Sequence, residues 1–362
     1  MAKGNQKNWF VIGLAALILY IFLSARPIAE ETILKPRWIT SLEQNLPISL
    51  DSSSPADGRW LLPFHLGDRF GYLGDDGIFP INQIRSGNIS MSELYWAEYG
   101  AQPSSIQVMN PQNEDVLLID NPGGYPIFLD NRIFIIGSEQ NSISAIGSNG
   151  EVLWTHDFPA PITSIDAGGG FLLAGTLDGA LELLNPSGRP VFPPFEPGGS
   201  RLSVILGCAI SRDAARLAVI SGIDEQRFLV LERSGDLYQV VYHEFLSGGF
   251  RRPVHINFVD NDSKVVFERE GGLGIYDIGS RSSVNLPLDG EIVVLDNYGT
   301  GGYVFVIISQ GPMEKRLITI RYPGIIVNEA PFISERAFLT RRSNRLYLGG
   351  DLSMVSFELE KR

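Results

Sequence analysis

Short apolar runs, each closed by a Gly, Asp, Asn or Ser turn, return about every 40 residues from Arg59 to the end of the chain. The clearest copies begin at Arg132 (RIFIIGSEQNSISAIGSNGEVLW), Phe171 (FLLAGTLDGALELLNPSGRP), Leu217 (LAVISGIDEQRFLVLERSGDLYQV) and Val265 (VVFEREGGLGIYDIGSRSSVNL), with weaker ones from Val304 and Leu346. Each reads strand, turn, strand, turn, strand. Continuous runs such as Phe171-Leu172-Leu173-Ala174 suit strands buried on both faces. Asn149-Gly150, Asp178-Gly179, Ser187-Gly188, Ser234-Gly235 and Asp289-Gly290 fall between runs and supply the positive φ of tight hairpins. After residue 25 no amphipathic pattern of helical period exists; the best candidate, Glu93–Tyr99, suits a strand equally well. Strand-only repeats of this period predict an all-β propeller.

Repeat starts near 70, 132, 171, 217, 265, 304 and 346 predict seven blades over 59–362, with eight as the alternative. The 62-residue gap between 70 and 132 reads as one copy with an insertion around Ala101–Asp115. The last copy offers two obvious strands, Leu346–Gly349 and Met354–Leu359. A strand from 38–50, beginning with the apolar Trp38–Leu42, is expected to complete the ring, because a propeller must close or leave open edges.

Residues 9–25 (WFVIGLAALILYIFLSA) carry no charge, and Lys3 and Lys7 precede them. This length and flank predict a single transmembrane signal anchor rather than a cleaved leader, since a cut after Ala25 would put Leu23 where a small residue is wanted. The expected order is a cytoplasmic tail (1–8), an anchor through the membrane (9–25), a tether with a candidate ring-closing strand (26–58) and an extracytoplasmic propeller (59–362), periplasmic in a bacterium.

The formal net charge of −12 disfavours nucleic-acid partners. The single cysteine, Cys208, sits in the apolar run Leu202–Ile210 and reads as a small core residue; it can form no intrachain disulfide.

Chemistry-bearing motifs are sparse. The four histidines, His65, His156, His243 and His255, show no ligand spacing. Asp75-Asp76-Gly77 and Asp260-Asn261-Asp262-Ser263 are dense in oxygen, but they lie between strands, where such residues form turns. No nucleophile elbow, phosphate loop or dinucleotide fingerprint occurs. No catalytic residue, metal or cofactor is therefore expected. Loop aromatics are the candidate partner-binding residues: Phe192, Phe195, Phe250, Tyr298 and Tyr322. The Pro-rich loop Pro190–Pro197 holds two of them and would anchor a partner at low entropic cost; the competing reading has both Phe cover the rim of a blade.

Ser148-Asn149-Gly150-Glu151-Val152-Leu153-Trp154 resembles the Gly-x-x-x-Trp element of pyrroloquinoline-quinone-like propeller repeats, and Gly175–Leu184 resembles the G-T-x-D-G-x-L element before it. Ala209–Ala218 is similar to the S-x-D-x-x-x-L-A strand pair of WD-repeat propellers. Such repeats build quinoprotein dehydrogenases and the BamB-type envelope lipoproteins. The resemblance implies a propeller and, in the second group, a scaffold without cofactor. Only Trp154 of five tryptophans stands at the repeat's Trp position, which argues against the matched quinone and calcium set of the enzymes.

The expected function is a non-catalytic protein-interaction scaffold for envelope proteins, in the manner of an assembly factor. A quinoprotein-like cofactor-binding enzyme and a small-ligand-sensing ectodomain are the alternatives.

Overall fold

In the computed structural model residues 14, 17, 20, 32–43, 48–49, 60–235, 237–296, 298 and 301–361 are described. The chain divides into two units, Met1–Lys35 with Leu359–Arg362, and Pro36–Glu358. In the first, Lys35 pairs with Glu360 at 3.2 Å. The second unit holds the propeller.

Strands β1 (Thr32–Ser41) and β2 (Ile48–Ser49) come first. Blade 1 is β3 (Leu61–Leu66), β4 (Arg69–Gly74) and β5 (Ile81–Ile84). Blade 2 is β6 (Asn88–Met91), β7 (Trp96–Tyr99), β8 (Ser105–Met109) and β9 (Asp115–Asp120). Blade 3 is β10 (Gly124–Leu129), β11 (Arg132–Gly137), β12 (Ser142–Ile146) and β13 (Val152–Asp157). Blade 4 has β14 (Ile162–Gly168), β15 (Phe171–Thr176) and β16 (Leu181–Leu184). Blade 5 is β17 (Ile205–Ile210), β18 (Arg216–Ser221), β19 (Gln226–Ser234) and β20 (Leu237–Leu246). Blade 6 is β21 (Ile256–Val259), β22 (Lys264–Arg269), β23 (Gly272–Asp277) and β24 (Ser282–Pro287). Blade 7 is β25 (Glu291–Leu295), β26 (Tyr303–Ser309), β27 (Glu314–Arg321) and β28 (Ile325–Ile333). Blade 8 joins β29 (Ala337–Arg342), β30 (Arg345–Gly350) and β31 (Ser353–Lys361) to β1 and β2, in the order β2-β1-β31-β30-β29.

The ring therefore has eight blades, and the expectation of seven is corrected. The missing blade is blade 2, which fills the 70–132 gap that read as an insertion. Its strands of four to six residues are too short and too polar to register as a copy. The segment Glu93–Tyr99 contains strand β7.

The anchor is corrected as well. A membrane span takes about 20 apolar residues in one helix, and among the described residues no helix is long and apolar enough to cross a membrane. Of 9–25 only Leu14, Leu17 and Tyr20 are described, and they are helical. The rest of that stretch, with 1–8, 26–31, 44–47 and 50–59, lies outside the described residues. The single-pass topology with a cytoplasmic tail is withdrawn.

The apolar runs become the second strands of the blades. β15, β18, β22 and β26 are buried almost throughout, because neighbouring blades cover both their faces. Outer strands β13, β24 and β28 expose every second residue or more, and their sequences turn polar accordingly. The core is a chain of inter-blade clusters rather than one centre. Phe228 of blade 5 stacks on Phe267 of blade 6 with centroids 4.0 Å apart. Between blades 8 and 1, Asp75 accepts from the Tyr347 hydroxyl at 3.1 Å and pairs with Arg345, while Trp38 Nε1 donates to the Asp75 carbonyl at 2.9 Å. Between blades 7 and 8, the Arg341 guanidinium lies 5.2 Å from the Phe305 centroid and 3.6 Å from Asp296.

Candidate functional site: an axial cleft and a rim cavity

The first strands of the sheets pack on one another and so form the inner wall of the ring. At blades 4 to 6 the inner strands β14 and β21 close over β17, all of whose residues are buried. Gly207 permits this approach: a Cβ there would lie 2.9 Å from Ile256 Cγ2 and from the Val254 carbonyl oxygen.

Strand β14 bonds to β17 through side chains, where a sheet would use backbone. Thr163 Oγ1 donates to the Ile205 carbonyl at 2.6 Å. Ser164 Oγ accepts from the Cys208 N–H at 2.9 Å, and Asp166 Oδ2 from the Ile210 N–H at 2.9 Å. Asp166 Oδ1 takes the Ala167 N–H at 2.8 Å.

A cleft of about 220 Å³ remains between these strands, lined by Ser164, Asp166, Cys208, His255 and Asn257 among others. Burial pushes the Asp166 carboxyl up to about 6, and the Asp130 carboxylate adds to the rise; the two backbone N–H bonds partly offset both. Burial likewise drives the Cys208 thiol up to about 12, so it is an inert floor and no nucleophile. Burial lowers His255, and Arg252 adds to that while Glu268 opposes it, which leaves the imidazole neutral at pH 7.

A second cavity, of about 340 Å³, adjoins at the rim between blades 6 and 7. Phe250, Arg252, Glu268, Glu270 and Glu291 line it, with Gly271, Gly272 and Gly290. Arg252 grips Glu268 with two bonds of 2.7 and 3.1 Å, reaches Glu291 at 3.1 Å and covers the Phe250 ring at 4.7 Å. The Glu268 side chain is only 3% exposed and also accepts the His255 backbone N–H at 3.2 Å. That carboxylate thus ties the rim cavity to the cleft.

The five aromatics expected to bind a partner do not gather. Phe192 and Phe195 are half-buried on blade 4, where their loop takes the place of a fourth strand. Leu181 and Phe195 exchange backbone hydrogen bonds of 2.8 and 2.9 Å, and the Phe192 ring lies 5.5 Å from Tyr238 of blade 5. Phe250 faces the rim cavity. Tyr298 follows β25 and bonds Glu93 of blade 2. Tyr322 sits between β27 and β28 with Lys264 Nζ 5.3 Å from its ring centroid.

The acidic turns are structural. Asp262 Oδ2 accepts from the Arg212 backbone N–H at 3.1 Å and from its Nε at 3.0 Å. His156 meets Glu182 at 3.1 Å across blades 3 and 4. Sequence reasoning missed Ser164, Asp166, Asn257, Arg252 and Glu268. The one available signal was Thr163-Ser164-Ile165-Asp166, three polar residues in four on an inner strand.

Comparison with known proteins agrees with this architecture. A Treponema pallidum (strain Nichols) protein, described as uncharacterized, is 26% identical over 367 residues, which cover 99% of this chain and 96% of the relative. BamB from Moraxella catarrhalis superposes with a TM-score of 0.60 at 14% identity, over 90% of this chain and all of that one. Apo AztD from Citrobacter koseri gives 0.57 at 10% identity, over 81% and 88%. These two likenesses concern the fold alone. A family model described as "beta-propeller protein" matches residues 1–362, and the chain belongs to that family.

Proposed function

We propose that the chain is a non-catalytic interaction platform that takes an extended segment of a partner protein across the rim cavity of blades 6 and 7. The observation that carries this reading is the state of the cavity's charges. Arg252 is bound to Glu268 and Glu291, and Glu270 accepts the Gly249 N–H at 3.1 Å. A general acid or base needs a group free to exchange its proton; here Arg252, Glu268 and Glu291 hold one another and a backbone N–H engages Glu270, beside the Phe250 ring. Aromatic and Arg anchors in a cavity with a polar rim are what a docked segment uses.

The repeat is of the quinone-like type without its cofactor. Trp154 on β13 supports that reading: its Nε1 donates to the Pro186 carbonyl at 3.0 Å, and its ring lies 2.4 Å from where a Cβ on Gly188 would stand. The Trp of one copy and the turn glycine of the next interlock.

The test is a photo-crosslinking amino acid at position 291, where the native side chain is 63% exposed. Val152 on blade 3, 59% exposed, is the control position. The expected result is one crosslinked protein segment from 291, none from 152, and a weaker yield with Phe250→Ala. Equal yields from both positions, or none from either, would reject the platform reading.

A further inference from the structure

We propose that the axial cleft of blades 4 to 6 binds a primary ammonium group, with the Asp166 carboxylate, the Asn257 amide oxygen and the His255 imidazole as acceptors. This site is separate from the rim cavity and does not depend on what occupies it.

Asp166 carries the argument. Its carboxylate lines the cleft, and among the described residues no Lys or Arg pairs with it. A half-buried carboxylate without a counter-charge is disfavoured, and a cation relieves that cost. A carboxylate has about four lone-pair sites; two of them on Asp166 hold the Ile210 and Ala167 N–H groups. The remaining ones have no hydrogen-bond partner among the described residues.

The other lining groups agree on sign and number. The Asn257 amide and the His255 ring make no hydrogen bond with described residues, so both have acceptors to offer. A neutral imidazole accepts and does not repel a cation. Arg252, whose charge acts on His255, is paired with Glu268 and Glu291. Asp130 adds negative potential at Asp166, and the chain as a whole carries −12. Three acceptors match the three N–H donors of an ammonium group. An anion would meet the Asp166 carboxylate, and three acceptors on separate side chains suit the three rotatable N–H donors of an ammonium better than the flat fork of a guanidinium. The cleft of about 220 Å³ admits the tip of a lysine side chain or a small alkylamine.

The experiment is an NMR titration of the full-length protein with n-butylammonium chloride, n-butanol and the peptide acetyl-Gly-Lys-Gly-amide, read at the His255 ring carbons. Saturable shifts with butylammonium and the lysine peptide alike assign the site to any primary amine. Saturation with the peptide alone assigns it to lysine presented by polypeptide. Butanol is expected to give at least about tenfold weaker binding, and Asp166→Asn to weaken the amine at least about tenfold. Binding should also fall as pH drops below about 6, where Asp166 takes up its proton. Should Asp166→Asn not fold, Asn257→Ala supplies the same comparison. The proposal is overturned by equal binding of butanol and butylammonium, by binding that neither variant weakens, or by the lack of any saturable shift.

Discussion

The hydroxyl of Tyr298 on blade 7 donates to the carboxylate of Glu93 on blade 2, joining residues 205 positions apart. Arg342 of blade 8 meets the other oxygen of Glu93 at 3.3 Å and covers the Trp60 ring at 5.1 Å. Residues of three blades thus meet at one carboxylate. Each partner is about a third exposed, so solvent screens the contact, and Tyr298→Phe should cost about 1 kcal/mol. Urea unfolding of Tyr298→Phe, Glu93→Gln and the double variant checks this. Strict additivity of the two losses would mean the residues do not interact in solution.

The stacked pair Phe228 and Phe267 should behave as a keystone. Both rings are fully buried between blades 5 and 6, so Phe228→Ala removes a ring and leaves a void. The expected loss is about 3–5 kcal/mol. Because the rings touch, adding Phe267→Ala should cost less than it does alone. A denaturation midpoint within error of the parent would contradict the packing described.

Asp166 sets a pH dependence whose sign is fixed. Its folded carboxyl titrates near 6 against an ordinary value of 3.8, so the folded chain holds a proton that the unfolded chain has lost between those values. Stability should therefore fall as pH rises from about 4 to about 6, and then level off. The open cleft edge of the carboxyl limits the effect to about 2 kcal/mol. Asp166→Asn should flatten this slope, as followed by melting temperature across that range. An unchanged slope would place the titration elsewhere.

Arg252→Ala should destabilise more than its half-exposed position suggests, because it leaves Glu268 buried without a cation. About 2–3 kcal/mol is expected, and Glu268→Gln in the same chain should recover much of it. Failure of that second change to help would show that packing on Phe250, and not charge, is what Arg252 supplies.

Much of the ring was legible in the sequence because second strands such as Phe171–Thr176 and Tyr303–Ser309 are apolar without interruption. Blade 2 was not, since Val116 and Leu118 point outward from β9 and the strands of that blade carry no such run. The cleft was hidden for a different reason. Ser164 and Asp166 bond backbone groups 44 positions onward, about one repeat away, and side-chain-to-backbone bonds between copies leave no mark on residue type at the receiving end. The Pro-rich loop that carries Phe192 and Phe195 reads from sequence as a display loop; it also takes the edge position of blade 4, a placement that residue type alone does not reveal.

In the eighth blade β1 lies between β2 and β31. On the ribosome β1 emerges before any blade exists, yet its long partner in the sheet, β31, appears only after the other seven have been made. Until then β1 is an unsatisfied sticky ribbon and the nascent ring is an open crescent. Closure is a late, long-range event of the kind that folds slowly. A stall in synthesis anywhere before Ser353 would release a chain whose first strand is free to pair with a stranger's edge.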